Sequence, residues 1–510
     1  MKARGSITIF FTLILSVLFS MMGSLLLSAK VAAGRALIAT AVDQTMYSAM
    51  AKYDRQLFDE YHLLYIDGSY GSGTLQLGKT LDEMEEDLSY LLTPNKDRWM
   101  TKGISLVNLE KTGGGISGYT LATDCHGQVF WEQVVSYMED TLGLQGILLL
   151  TQKLREENGA LESQKTVKKQ VEENGTIDEY EKIKKEAQEA EKEDTTQKTE
   201  DLDDLQETEN SETEEIDEET RKKGEEAESV MDAVTQIKKT GLLSLVTGED
   251  KQISNWSAEK NQMLRNRKLQ EGMGYLELTN ENPSMTEDLL FQEYLMKNIN
   301  CYSSQKHETG PAYGIELIIF GNSSDVKNLE SAVNGMFWAR EAANTAALYK
   351  DKSRYEQVEI MASALAAVLE LPGAELIFKG ALTLAWAYVE SVVDVSAMLS
   401  GKEVPLIKQS DQWQVEFVEI LSALQSPESF YQEGEGMDYE DYLRLLLLTK
   451  TKEERIYGCM EVIELSMREI QGKEEFAMDC AIDSLTGDFD ICVQNFKTFT
   501  ITESRSYRKM

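Results

Sequence analysis

Proline is nearly missing: there are six in a chain of 510 residues. Proline breaks helix interiors, so its scarcity favours a helix-rich molecule. Histidine is rarer still, found only at His62, His126 and His307. Neither the HExxH helix of a zinc protease nor the GxSxG elbow of a serine hydrolase occurs. The five cysteines, Cys125, Cys301, Cys459, Cys480 and Cys492, are dispersed without a CxxC pair, which argues against zinc knuckles and dithiol redox motifs. They read as buried apolar thiols, with a Cys459–Cys480 or Cys480–Cys492 bridge left open. Basic charge is also short: 51 Lys and Arg face 88 Asp and Glu, a net charge of −37. Binding nucleic acid requires clustered cations that displace counterions from phosphate. No such cluster exists, and no nucleic-acid partner is expected. No cofactor, metal or catalytic set is expected either.

What the chain does have is a strongly apolar, uncharged run from Gly5 to Ala29, closed by Lys30. About 20 apolar helical residues, at roughly 1.5 Å each, cover the roughly 30 Å hydrocarbon core of a bilayer. The run exceeds the apolar region of a cleavable signal, about 7 to 15 residues, although Val31-Ala32-Ala33 offers a cut site. Helical spacing continues past it through Leu37, Ile38, Ala41, Val42, Thr45, Met46, Ala49 and Met50. The expectation is therefore one retained helix, its first half in lipid and its second half striped against a folded domain. Lys2 and Arg4 precede the run, which points the amino end to the cytoplasm and the carboxy-terminal bulk outward across a single-pass cell-membrane anchor.

Within the run, Thr8, Thr12, Ser16, Ser20, Ser24 and Ser28 recur every fourth position. Small hydroxyl residues let a second membrane helix approach closely, so Thr12, Ser16, Ser20, Ser24 and Ser28 are the candidate residues for helix association. The partners implied are the lipid bilayer, other membrane proteins, or a second copy of the chain in a homo-oligomer. The plainer alternative is that each hydroxyl bonds back to its own helix. A strict four-residue repeat also drifts about 40° per step, so only about three or four members face one straight partner.

Along the rest of the chain, His62 to Ile66 reads as a short strand, and Asp67 to Gly73 as a glycine turn rather than a phosphate loop. Helices are expected at about Leu81 to Leu92 and Val129 to Leu150, with a loop at Gly113-Gly114-Gly115. From Glu191 to Glu228 there are 18 acidic and 5 basic residues, a net charge of −13. No aromatic residue occurs between Tyr180 and Trp256. Such a composition cannot bury a core of its own, so 152–239 is expected to be an acidic, solvated insertion. The folded pattern resumes near Val230. Strands are expected at Gly274 to Leu278 and Ile315 to Phe320. Helices are expected at Thr286 to Asn298, Asp325 to Lys350, Tyr355 to Leu371, Ala374 to Leu399, Tyr439 to Leu448 and Lys452 to Ile470. The Ala374–Leu399 helix has an uncharged stretch of only ten residues, Gly380 to Val389, too short to cross a bilayer. Glu390 and Asp394 share one face of it and read as its wet edge, with proton transfer or metal binding as the sharper alternative. Phe489, Ile491 and Val493 alternate as a strand, a phase change at Phe496 suggests a bulge, and Ser504 to Met510 reads as a frayed tail.

The opening Lys2-Ala3-Arg4-Gly5-Ser6-Ile7-Thr8-Ile9-Phe10, the apolar run and Arg35-Ala36-Leu37-Ile38-Ala39-Thr40-Ala41-Val42-Asp43 resemble the amino ends of TadE/TadG-like proteins of tight-adherence (Flp-type) pilus systems. Three further segments, Tyr313 to Gly321, Trp386 to Val395 and Gly401 to Lys408, resemble an uncharacterised Gram-positive family of Tad-like membrane proteins. Fibre subunits cut after a glycine carry Glu at the fifth mature position; counted from Gly5, that position is Phe10. The resemblance therefore implies an accessory protein that keeps its anchor, with pilus-assembly components among its partners. The expected fold is α+β and helix-rich: a transmembrane helix and its amphipathic extension (1–60), a first extracytoplasmic part (61–151), the acidic insertion (152–239) and a main helical α+β domain (240–510). The expected function is binding, with no enzymatic activity, in pilus or surface-structure assembly. A cell-envelope adhesion protein unrelated to pili and an anchored hydrolase with an unrecognised site are the alternatives.

Overall fold

An unbroken helix, α1 (Arg4–Met50), opens the chain in the computed structural model, which describes residues 4–93, 107–142, 180, 182–185, 217–247, 253–273, 284–432 and 434–508. The described residues are helix-rich and form one antiparallel sheet. The expected strand at Gly274 to Leu278, most of the acidic insertion and the end of the Val129–Leu150 helix lie outside the described residues. The chain forms two compact units. One comprises Met1–Ile147, Glu259–Asn298 and Lys452–Met510, and the other Leu148–Ala258 and Ile299–Thr451. The expected main domain at 240–510 is therefore shared between both units, because Glu259–Asn298 and Lys452–Met510 belong to the unit that holds α1.

In the first unit, α1 is followed by α2 (Arg55–Tyr61), whose N-cap Asp54 accepts from the amides of Gln56 and Leu57. His62 closes α2 in a left-handed conformation, so the strand expected from His62 shrinks to β1 (Ile66–Asp67). Next come α3 (Leu77–Leu92), β2 (Leu109–Leu121) and α4 (124–142). The unit is completed by α8 (Met285–Asn298), α16 (Lys452–Arg468), β3 (Ala481–Val493) and β4 (Lys497–Ser506). β3 is central: β2 pairs along one edge, and β1 and β4 share the other, all antiparallel.

Gly113, Gly114 and Gly115, expected as loop, lie inside β2 opposite Asp490, Phe489 and Asp488. A Cβ on Gly114 would come within 3.0 Å of the Asp488 carbonyl and the Phe489 ring. The strand needs glycine there because its partner approaches so closely. Beyond β3, Gln494 and Asn495 take left-handed angles and Phe496 N donates to Val493 O at 3.0 Å. The phase change is thus a hairpin loop rather than a bulge. The expected frayed tail is also ordered through Arg508: β4 runs to Ser506, and the Tyr507 hydroxyl donates to Met50 O.

One face of the sheet holds the core. Ile482, Leu485, Phe489, Ile491 and Val493 of β3 meet Ile38, Val42, Met46 and Ala49 of α1 and Met84 and Leu88 of α3. Alternate β3 residues turn away and stay half-buried, the period-two pattern of a sheet covered on one side. Farther along, Trp131 of α4 stacks on Phe291 of α8 at 4.5 Å.

The second unit contains α5 (182–185), α6 (Glu218–Thr240), α7 (Leu242–Thr247), α9 (Gly314–Phe320), α10 (Asp325–Lys350), α11 (Lys352–Val368), α12 (Glu375–Leu399), α13 (Ile420–Gln425), α14 (Pro427–Phe430) and α15 (Tyr439–Leu448). α12 is the core helix, buried from Gly380 to Leu399 except at Leu384. Although apolar enough to pass as a membrane span by composition, it is packed inside protein. The insertion expected to end at Lys239 ends earlier. Ala227, Val230, Met231 and Val234 of α6 are buried, and a Cβ on Gly224 would come within 2.6 Å of the Ala364 carbonyl on α11. Tyr180 is buried too, edge-on to Phe378. Ile315 to Phe320, expected as a strand, is instead the short helix α9, ended by Gly321 in the left-handed region. A brief apolar run without polar alternation fits either state.

Candidate functional site

The amino-terminal half of α1 is a candidate membrane span. Its large side chains from Ile7 to Leu26 stay 40–65% exposed, although all of them are apolar. Shielding begins at Leu27 and is complete at Gly34, Ile38 and Val42. Thr12, Ser16, Ser20, Ser24 and Ser28 are all exposed on this half. Thr12, Ser16 and Ser24 donate to the carbonyls of Ile9, Leu13 and Met21 at 2.8–2.9 Å. A helix can therefore carry these hydroxyls through lipid while satisfying them on its own backbone, and the exposed row stays small enough for a second helix to approach.

α1 enters its unit without a hinge. The Cβ position of Gly34 abuts Val493, Met46 lies against Gly487, Asp43 pairs with Arg505, and Met50 O meets Tyr507. α1 therefore runs along β4 and counter to β3.

In the second unit, the structure overturns the reading of Glu390 and Asp394 as a wet edge: both are fully buried. Asp394 Oδ2 accepts from Arg340 Nε and Nη2 at 3.0 and 2.7 Å and from Asn344 at 2.9 Å, and its Oδ1 accepts from Lys408 Nζ at 2.5 Å. Lys408 also bonds Glu390, which accepts the amides of Gln414 and Val415 at 2.9 and 3.0 Å. Arg340 reaches on to the carbonyls of Pro405 and Leu406. Burial alone would raise the Asp394 carboxyl, but Arg340 and Lys408 hold it below the usual carboxylate range. Burial pushes Glu390 up, against the pull of Lys408. Two cations and two carboxylates thus balance, and their bonds fasten the 404–415 loop to α10 and α12.

The sequence held a signal for this cluster. A helix apolar on nearly all faces is buried, and carboxylates within it must find cations. The cations come from residues 54 and 14 positions away, a pairing no local pattern announces. A cavity of about 500 Å³ beside the loop is walled by Ala343, Ala346, Ile407, Trp413 and Lys408, and the Lys408 ammonium is already engaged by both carboxylates.

Glu316 is a second buried carboxyl. Its Oε1 accepts from Tyr302 N at 2.9 Å and Tyr439 Oη at 2.6 Å, while Oε2 is buried without a hydrogen bond. Burial pushes it up to about 7, against those hydrogen bonds. The folded state therefore holds a proton that the unfolded chain has released above its ordinary value of 4.5, and stability falls as pH rises from that value toward 7. The full effect is about 3 kcal/mol. Glu341 and Glu464, also raised to about 7 by burial, act in the same direction. Glu316→Gln should flatten this dependence and raise the denaturant midpoint at pH 8 with little change at pH 5. Equal shifts at both pH values would contradict it.

All five cysteines are free, so neither suggested bridge forms. Burial pushes the thiols of Cys301 and Cys480 up to about 12 and that of Cys459 higher still, which leaves little thiolate for nucleophilic work. Cys125 is exposed; its neighbour His126 points Nδ1 at Glu453, 3.1 Å away. Among the described residues, no group of three or more His, Cys, Asp and Glu is placed to hold a metal ion.

The turn reading at Asp67–Gly73 passes over one pattern. Gly73-Thr74-Leu75-Gln76-Leu77-Gly78-Lys79-Thr80 spells GxxxxGK[ST], and α3 starts inside it. Its surroundings oppose a phosphate. Leu75 and Leu77 pack on the core, and the Glu475 carboxylate lies 3.4 Å from the Cβ position of Gly73. The sheet beside it is antiparallel, whereas a phosphate loop follows a strand of a mainly parallel sheet.

A family model described as a family of unknown function (DUF5702) matches residues 220–493. The match includes all but the first two residues of α6, the buried ion cluster and all of β3. No curated protein and no solved structure matches the chain.

Proposed function

We propose that this chain, which belongs to the DUF5702 family of unknown function, is a membrane-anchored, TadE/TadG-like accessory protein. It acts by binding in the assembly of a pilus or related surface structure. The observation that carries the anchor is the change of surroundings along α1: an apolar half exposed on every side continues unbroken into a half buried against the sheet. About 20 residues of the exposed half suffice to cross the hydrocarbon core. The pilus context is supported by the resemblance of Lys2–Phe10 and Arg35–Asp43, and Phe10 favours an unprocessed accessory over a fibre subunit. Binding rather than chemistry is favoured by the mutual neutralisation of Glu390, Asp394, Arg340 and Lys408.

In this reading the amino end is cytoplasmic, both folded units lie outside the cell membrane, and the row from Thr12 to Ser28 meets a partner helix. Protease added to intact protoplasts should digest the carboxy-terminal part, and the membrane-embedded protein should co-purify with the pilus platform and ATPase. Combined Ser20→Leu and Ser24→Leu should weaken that co-purification several-fold while leaving the protein in the membrane. Protection of the carboxy-terminal part in protoplasts would overturn the topology. Normal piliation after deletion would favour an envelope contact role instead.

A further inference from the structure

We propose that the β3–β4 hairpin tip, Gln494 to Lys497, rests in the headgroup layer of the same membrane that holds α1, with Phe496 as its apolar contact. This rests on the reading of α1 as an anchor.

The direction of the sheet carries the argument. Because α1 runs counter to β3, moving from Met46 to Gly34 toward the lipid-exposed half matches moving from Gly487 to Val493 along the strand. The loop after Val493 therefore points at the membrane. From Leu26, the end of the exposed run, to Gly34 is about 12 Å along the helix. The loop reaches past Val493 by about 5 Å, one to two strand residues. Phe496 is then left about 7 Å from the hydrocarbon edge, within a headgroup layer about 5–8 Å deep.

The chemistry of the tip suits that depth. Phe496 is 66% exposed at the end of a hairpin tied down by Gln494 N to Asn108 O at 2.8 Å and Phe496 N to Val493 O at 3.0 Å. A large aromatic in water on a fixed loop has no role in the core of its own unit. In an interface it loses water contact, as aromatic residues do in the belts of membrane proteins. Cations gather at the same level in a chain whose net charge is −37. Arg35 lies over the Phe499 ring at 5.8 Å and Lys497 at 5.1 Å, and Lys30 ends the apolar run. Cations so placed can reach anionic headgroups while their stems cover apolar surface.

The test uses the full-length protein in vesicles of mixed zwitterionic and anionic phospholipid. The photoreactive amino acid p-benzoylphenylalanine replaces one residue at a time, at Leu18 within the apolar run, at Phe496, and at Thr502. Thr502 is exposed on β4 and lies about 20 Å farther from the membrane along the strand. Illumination should give lipid adducts at positions 18 and 496 and none at 502. Adducts at 18 without adducts at 496 would overturn the proposal and leave the anchor standing. Adducts at none of the three would overturn the anchor reading and this inference with it. Equal adducts at 496 and 502 would show indiscriminate contact and also overturn the proposal.

Discussion

Asp394→Ala should lower the stability of the second unit by about 3–5 kcal/mol, the usual consequence of removing one partner from a buried ion pair. Arg340 would lose both of its bonds to Asp394 Oδ2, and Lys408 would keep only Glu390. A guanidinium with no exposed surface would then lack its counter-charge. Hydrogen exchange is the suitable readout, because it reports on α12 separately from the rest of the chain. Amides of α12 and of the 404–415 loop should exchange at least 100-fold faster, the lower bound that the expected energy implies. Replacing all four charged residues together with apolar residues of matching size should do much less damage, since an intact buried ion network is often no more stabilising than a well-packed apolar one. A loss below about 1 kcal/mol for the single variant would show that water or another group compensates the stranded cations.

The carboxy terminus should be nearly as sensitive. Arg508 bonds the fully buried Asp483 at 2.8 Å and Glu132 of α4 at 2.7 Å. Asp483 also accepts from Ser506 and Thr120, while its Oδ1 is buried without a hydrogen bond. Arg508→Ala strands that carboxylate, with an expected loss of about 3–5 kcal/mol in the first unit. Burial already raises the Asp483 carboxyl, against the pull of Arg508. Its removal should therefore hurt most at high pH and progressively less as the pH falls and Asp483 takes up a proton. Adding Asp483→Asn to Arg508→Ala should recover most of the loss at neutral pH. In a double-mutant cycle, strict additivity of the two changes would refute the pairing.

The helices were the most legible part of the sequence. Asp325–Lys350 and Tyr439–Leu448 fall where periodicity put them, and the long apolar helix that opens the chain was evident from its composition. What the sequence hid was non-local. Gly113–Gly115 look like loop until Asp488, Phe489 and Asp490, some 375 positions later, supply the strand whose close approach requires glycine at Gly114. Ile315–Phe320 lacked the length or alternation that separates a buried helix from a buried strand. Arg508 looked like part of a loose end because its partner Asp483 sits across a hairpin. Glu390 and Asp394 were correctly placed on one helix face, but that face turns inward because Arg340 and Lys408 come to meet them.

The uninterrupted passage of α1 from the apolar run into the sheet also fixes azimuth. No break separates the two halves of that helix, so the heading of the first unit about the helix axis, relative to the exposed hydroxyl row, is set by the rotational phase of the buried segment. One residue added between Lys30 and Gly34 would swing the whole unit by about 100° and raise it by about 1.5 Å. With α1 as the proposed anchor, the residue count of this connection therefore encodes which side of the unit faces a neighbour in the same membrane.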